Sequence, residues 1–549
     1  MRKRNWIIFG FIFLIGFGVF NTSFLSQLWA TGENLYIKMQ IFNLILNELQ
    51  KSYVEEVDPI ELIEDAIKGM LSNLDPHTAY LPREQFMAWH EKFDGFSGIG
   101  IYFDIVRDEV TVTSVIENGP AYKAGILPND KIVAINYEST DGLKHDQVAK
   151  ILKGVSGTTL TLTVQRGGLI KPKLFKVIRE RILINSISDA YMIDNEVGYV
   201  RLAKFTVSTR NELHNALTKL SGEGMKKCII DLRDNGGGLM QASIDVADLF
   251  LPDKRKIVYK KGRSEESYEA YFSSGKAPFA DLPLILLINH ATASAAEIVA
   301  GAFQDWDRAL IIGEPSFGKG LVQSQIRFAD NSALLLTTAK YYTPSGRLIQ
   351  RDYHAKTRDE YYREAYNDSL RIELMPKSQE QTFKTLQGRP IFGGGGIIPD
   401  INIKSEQKDI SPLIKEIYYY AKTEKPILAL FAEDYIRDNG NDFLKKELPE
   451  KKNIARFLDK FTFSEKMVNQ FEKLLKENQF PISRTQIYAN LSDLEFLLKR
   501  EIAYRIWGEY GRFRVKLLYD KQLRTTMNYF PETQKLLNAS LMLYEDEED

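Results

Sequence analysis

The segment LPLILLIN, residues 282–289, carries no charge and no alternation, and it ends in a polar turn. A strand with one face in water alternates apolar and polar side chains; an unbroken apolar run reads as a strand buried on both faces, which is characteristic of an α/β sheet. VGYVRLAKF and KKCIIDLR before it, and RALIIGE and SALLLTTAKYY after it, read as further strands, with MQASIDVADLF as an amphipathic helix between them. The chain has 549 residues, of which 44% are apolar, enough for several domains with buried cores.

Other stretches follow other periods. From 33 to 92, Leu44, Ile45 and Leu49, then Ile60, Ile63, Ile67 and Leu71, recur at helical spacing, and Asp58-Pro59 opens the second helix as cap and first-turn proline. From 93 to 168 short strands, GIGIYFDI, EVTVTSVI, DKIVAI and TTLTLTVQR, alternate with Gly, Pro and Asn. Beyond 405 the composition turns charged and helical, with a capping box at Ser492-Asp493-Leu494-Glu495. The expected division is 1–30, a signal sequence or membrane anchor; 31–92, helical; 93–170, a small strand-rich domain; 171–405, the α/β core; and 406–549, a helical domain of unknown role.

MRKRN followed by WIIFGFIFLIGFGVF is the pattern of an export signal, and FLSQLWA could extend it into an anchor. Positive-inside logic puts the remainder outside the cytoplasm, and the expected location is the periplasmic side of an inner membrane. A net charge of -1 supplies no global field for nucleic acid. Cys228 is the single cysteine, and the six histidines lack metal-ligand spacing, so neither a disulfide nor a metal centre is expected.

Three segments carry chemistry. In the first, the buried strand runs through Asn289 into HATASAAEIVAGAFQD, which places Ser294 at a strand-to-helix turn. Ser294 with Glu297 also spells a capping box, so the hydroxyl could serve the helix alone. The same turn offers a nucleophile free amides and a helix dipole. The base is either His290, four residues upstream, or Lys319, in a glycine-flanked turn between Phe317 and Leu321 where desolvation would free its lone pair. Gly313-x4-Gly318-Lys319 imitates a phosphate loop, but Gly320 stands where the magnesium-binding hydroxyl belongs, which argues against a nucleotidase. In the third segment, IIDLRDNGGGL, the Gly236 or Gly237 N–H could join that of Ala295 in an oxyanion hole.

Together these segments resemble the carboxyl-terminal processing peptidases, or tail-specific proteases, serine peptidases with a Ser-Lys dyad. The resemblance rests on Asn289 to Ile298, on Gly313 to Gln323, and on the spacing of Ser294 and Lys319. Thr292 and Ala296 depart from the usual serines. LDPHTAYL at 74–81 and Gly396 to Asp400 extend the likeness over roughly 40 to 405. It implies Ser294 as nucleophile, Lys319 as general base, Gln323 as the residue that orients the lysine, Gly237 and Ala295 as oxyanion donors, and no cofactor. The implied fold is an α/β protease core, a crotonase-like βαβ sheet with cap strands, plus a PDZ domain, an N-terminal helical segment and a C-terminal helical extension.

The PDZ likeness is carried by Gly119-Pro120-Ala121, Ala124-Gly125-Ile126, Asp130 and Ile132, with Ser97-Gly98-Ile99-Gly100-Ile101 as carboxylate loop. Amides of such a loop form an anion nest, the next strand pairs with a peptide, and Val148, Ile151 and Leu152 would wall the groove. The expected partners are proteins or peptides with apolar C-termini and, through the N-terminal segment, a membrane; the chain could pair as a homodimer, and no nucleic acid is expected. The expected function is serine endopeptidase action on exported proteins, with a non-catalytic PDZ scaffold on a protease-like fold as the rival.

Overall fold

The computed structural model describes residues 34–106, 108–116, 118–166, 171–182, 185–366, 382–405, 410–418, 427–439, 453–480 and 482–546. The signal or anchor expected at 1–30 lies outside them. Among the described residues no helix is long and apolar enough to cross a membrane, and no His/Cys/Asp/Glu cluster could hold a metal ion.

The chain divides into two compact units, up to Tyr80 and from Leu81 onward. The first contains helices at 34–52 and Pro59–Leu71. Asp58 caps the second as expected, its carboxylate accepting the Ile60 N–H at 2.8 Å beside the first-turn proline.

In the second unit a six-stranded sheet runs in the order Ile187–Met192, Val197–Leu202, Lys227–Asp231, Leu284–Ile288, Leu310–Gly313, Ile401–Asn402. Its first pair is antiparallel and the rest are parallel. Leu284–Ile288 is buried at all five positions, as its composition required. Leu284, Leu286 and Ile288 join a core with helices Thr209–Gly222, Met240–Ala247 and Ala295–Asp305. Ile285 and Leu287 face the other way and pack with Leu517, Leu523 and Phe530. The second face of this sheet is therefore covered by helices from beyond residue 405, a role that the sequence pattern did not reveal. Strands Lys256–Gly262, Glu269–Phe272, Leu321–Arg327 and Ala333–Tyr342 form an antiparallel cap sheet.

The small β domain orders its principal strands Ile101–Val106, Glu109–Val115, Lys131–Ile135, Thr159–Gln165, Lys173–Ile178, so its sheet continues past residue 170. Pro120–Lys123 is a single helical turn, followed by Gly125 at φ 81°. Val110 and Val112 enter this domain's core. Thr111 and Thr113, on the opposite face of the same strand, are also buried, and Thr113 Oγ1 lies 3.5 Å from Tyr504 Oη on helix Leu491–Leu518. At Gly508 this helix is kinked (φ 64°, ψ -150°), and a Cβ there would lie 2.9 Å from that of Ser114. The helix begins after Asn490, so Ser492 lies inside it and is not the expected cap. The two acidic side chains of that motif serve tertiary contacts instead: Asp493 accepts the Ser411 N–H and Glu495 the Phe463 N–H.

Candidate active site

Three adjacent parallel strands, Lys227–Asp231, Leu284–Ile288 and Leu310–Gly313, end side by side, and their carboxyl ends feed the glycine loop, the Ser294 turn and the Lys319 turn. This is the edge at which α/β sheets bind ligands. Chain direction and strand order thus bring together segments far apart in sequence.

Ser294 has φ 56° and ψ -116°, outside the extended geometry of an ordinary helix cap. Such strain in a non-glycine residue costs about 1–3 kcal/mol and characterises a serine held on a sharp strand-to-helix turn. The carboxylate half of the capping box is present, with the Ser294 N–H donating to Glu297 Oε2 at 2.7 Å. The other half is made by the Ser294 carbonyl, which accepts the Glu297 N–H at 2.8 Å.

Glu297 does more than cap. Its Oε1 accepts the Ser316 hydroxyl (2.5 Å) and the Gly318 N–H (2.6 Å), and its Oε2 accepts the Lys319 N–H (3.0 Å) beside that of Ser294. One fully buried carboxylate therefore ties the serine turn to the lysine turn. Burial raises its pKa above the ordinary carboxylate value, and the four donors oppose that rise. Tyr341 adds a second tie, its hydroxyl donating towards the carbonyls of Lys319 (2.6 Å) and Ser294 (3.1 Å). Lys319 Nζ donates to Gln323 Oε1 at 2.8 Å. Gly318, at φ 86°, gives the turn a backbone that a side chain would strain.

On the other flank the Asn235 carbonyl accepts the Ala293 N–H at 2.9 Å. A Cβ on Gly237 would fall 2.8 Å from Ala293 O, 2.9 Å from Ser294 Cβ and 3.0 Å from Ala295 N, so this glycine's backbone lies directly against the serine. The Gly237 N–H donates to Asn235 Oδ1 at 2.9 Å, whereas that of Ala295 meets no acceptor among the described residues. His290 faces elsewhere: its Nδ1 is 3.8 Å from Glu314 Oε2 and its ring meets Tyr366 edge-on.

Residues 196–357 match the model of peptidase family S41, residues 111–166 that of a PDZ domain, and residues 27–85 that of the activating protease CtpB N-terminal domain. A carboxy-terminal-processing protease of Bartonella bacilliformis is 39% identical over 323 residues, covering 58% of this chain and 74% of that protein. The chain belongs to the carboxy-terminal-processing proteases of family S41. A probable CtpA-like serine protease of Staphylococcus aureus is 37% identical over 305 residues, 55% of this protease and 60% of its relative. Among solved structures, a photosystem II D1 C-terminal processing protease aligns with 66% of this protease and 92% of itself, at 25% identity and a TM-score of 0.34.

In the PDZ domain of this protease, Ile101–Val106 is an edge strand that pairs with Glu109–Val115, and its other edge has no strand partner among the described residues. Phe103 on that strand stacks on His145 at the start of helix His145–Leu152, with ring centroids 4.5 Å apart. In the expected carboxylate loop Gly98, Ile99 and Gly100 are buried, and the Ile99 and Gly100 N–H groups meet no acceptor among the described residues. Of the three expected groove residues, Val148 and Leu152 are buried, at 0% and 5% exposure, and belong to the domain's core cluster with Ile99, their spacing of four placing both on one helix face. Ile151 is the one that presents surface. Sequence reasoning missed Tyr341, which lies on a distant strand, and gave Glu297 only its local capping role.

Proposed function

We propose that this peptidase is a serine endopeptidase in which Ser294 is the nucleophile and Lys319 the general base. The observation that carries the reading is the Glu297 carboxylate, which accepts N–H bonds from both Ser294 and Lys319. Lys319 takes the hydroxyl proton as Ser294 Oγ bonds to the substrate carbonyl carbon. As the C–N bond breaks, the lysine returns that proton to the leaving amine; a water deprotonated by the same lysine then bonds to the acyl carbon, and as the bond to Ser294 Oγ breaks the lysine passes the water's proton to Oγ. The Ala295 N–H receives the tetrahedral oxygen, joined by that of Gly237 once the charged oxygen competes with Asn235 Oδ1. Gln323 fixes the lysine amine. The position of His290 beside Glu314 and Tyr366 supports a structural role for it.

In the same reading the PDZ domain captures apolar C-terminal tails. A peptide adds to the open edge of Ile101–Val106, and its carboxylate is bound by amides of the Gly98–Ile101 loop. The basic MRKRN and the apolar run after it support exported proteins as substrates, a membrane-held enzyme and action on the periplasmic side. The test uses the full chain in detergent micelles with an unfolded reporter bearing an apolar C-terminus, followed by mass analysis of the products. Ser294→Ala should abolish cleavage and leave the fold intact. Cleavage by a folded Ser294→Ala variant would remove Ser294 as nucleophile.

A further inference from the structure

Arg233 stands where the strand Lys227–Asp231 turns into the glycine loop, and it is 6% exposed. Its guanidinium pairs with Asp231, Nε to Oδ1 at 2.9 Å and Nη2 to Oδ2 at 2.6 Å. Burial opposes the charge on Asp231, yet Arg233 holds its carboxyl down at about 2. The remaining valences of Arg233 are met from far along the chain. Nη2 lies 2.7 Å from Asp520 Oδ2, and Nη1 donates to Gln522 Oε1 at 2.7 Å. Gln522 is itself buried and donates to the Ile403 carbonyl. Asp520 also caps helix Lys521–Thr526, its Oδ1 accepting the Leu523 N–H at 2.9 Å. Both residues lie far outside 196–357, the stretch that matches the S41 model.

The residues directly after Arg233 form the wall of the active site. The Asp234 N–H donates to Asn289 Oδ1, at the start of the serine turn. Asn235 holds Ala293 through its carbonyl and Gly237 through its side chain. A guanidinium fixed on three sides fixes the backbone that leads into these contacts, and a displacement of about 1 Å at reacting groups can cost a hundredfold in rate.

We propose that Asp520 and Gln522, from the C-terminal helical region, are positioning residues for the catalytic glycine loop, acting through Arg233. This rests on Ser294 as the nucleophile, and the helical region is then part of the catalytic apparatus. The test uses the full chain in detergent, a short peptide substrate and a fluorophosphonate probe of serine reactivity. Asp520→Ser keeps a good helix cap but is too short to reach Arg233, while Asp520→Asn keeps cap and shape but turns an N–H donor towards a donor. Gln522→Leu removes the other acceptor.

The expected result for the Asp520 variants is a fall in kcat of about tenfold or more, with an equal slowing of probe labelling, KM within twofold and an unchanged fraction of folded protein. Gln522→Leu should fall in the same direction, and Asp520→Glu should recover part of the loss. If Asp520→Ser does not fold, Asp520→Asn is judged by the same criteria. Wild-type kcat in the folded Asp520 variants, or a loss that only tracks the unfolded fraction, overturns the inference. If wild-type protein neither cleaves nor labels at Ser294, the underlying assignment of the nucleophile falls instead.

Discussion

Glu297→Gln tests how the serine and lysine turns are held. The carboxylate has two oxygens with two donors each: Ser316 Oγ–H and Gly318 N–H on one, Ser294 N–H and Lys319 N–H on the other. Glutamine has the same shape but a single oxygen. If its NH2 faced Ser294 and Lys319 it would meet two N–H donors. Facing Ser316 and Gly318 it meets one N–H and a hydroxyl that can turn to accept, so this orientation wins. It leaves the Gly318 N–H unpaired, at about 1–3 kcal/mol, and makes two charge-assisted bonds neutral, at about 1 kcal/mol each. Removal of a buried charge offsets part of this, leaving about 2 kcal/mol of destabilisation. Because Gly318 precedes Lys319, the displacement falls on the base, and kcat should drop about 10- to 100-fold.

The pH dependence supplies a second readout. Burial raises the Glu297 carboxyl above 4.5. A carboxyl whose pKa is higher folded than unfolded binds its proton more tightly in the folded state, so its penalty on stability is present above the folded pKa and relieved as pH falls through it. The ionised acceptor shared by Ser294 and Lys319 is lost over the same window. Wild-type kcat should therefore fall on acidification at a pH above 4.5, without unfolding by circular dichroism, and Glu297→Gln should lack that limb. Wild-type kcat in the glutamine variant, or an identical acid limb, would refute the reasoning.

Lys319→Arg should be inactive in the tailed-reporter assay, since arginine stays charged and accepts no proton near neutrality; activity within tenfold of wild type would return the base to His290. His290→Ala should remain active. Gly237→Ala forces a Cβ to within about 3 Å of Ser294 Cβ and Ala295 N at φ 96°, and should lower kcat by about a hundredfold while the protein stays folded; a kcat near wild type would dissociate this glycine from the oxyanion site. Amidating the reporter's C-terminus removes the charge that the loop Gly98–Ile101 is shaped to bind, so its KM should rise while cleavage of a short peptide changes much less; an unchanged concentration series would contradict tail capture.

Local pattern carried the candidate segments a long way. LPLILLIN announced a strand buried on both faces, the Ser294 turn could be read from that strand running into a helical segment, and the Lys319 turn from its glycines and flanking apolar residues. The ties that bind those turns to each other were not legible, because Tyr341 comes from the cap sheet and Glu297 makes three of its four bonds to them beyond its own helix turn. Helical period placed Val148 and Leu152 on an apolar face without saying how much of that face the domain's own core would cover. The helical character of the chain beyond residue 405 was visible, but its docking against Ile285 and Leu287 depends on long-range packing that no local spacing encodes.

That docking sets the order in which the enzyme can mature. The strands of the catalytic sheet are complete once Asn402 has been made, yet Ile229, Ile285, Leu287 and Ile312 still lack the Leu517, Leu523 and Phe530 side chains that cover them. A growing chain therefore carries Ser294 and Lys319 while one side of the sheet remains a bare apolar surface, the kind of surface on which unfinished proteins aggregate. Arg233 waits for Asp520 over the same interval. Synthesis through Phe530 thus acts as a clock, because the second face of the sheet is closed only after the Leu517, Leu523 and Phe530 side chains have been delivered.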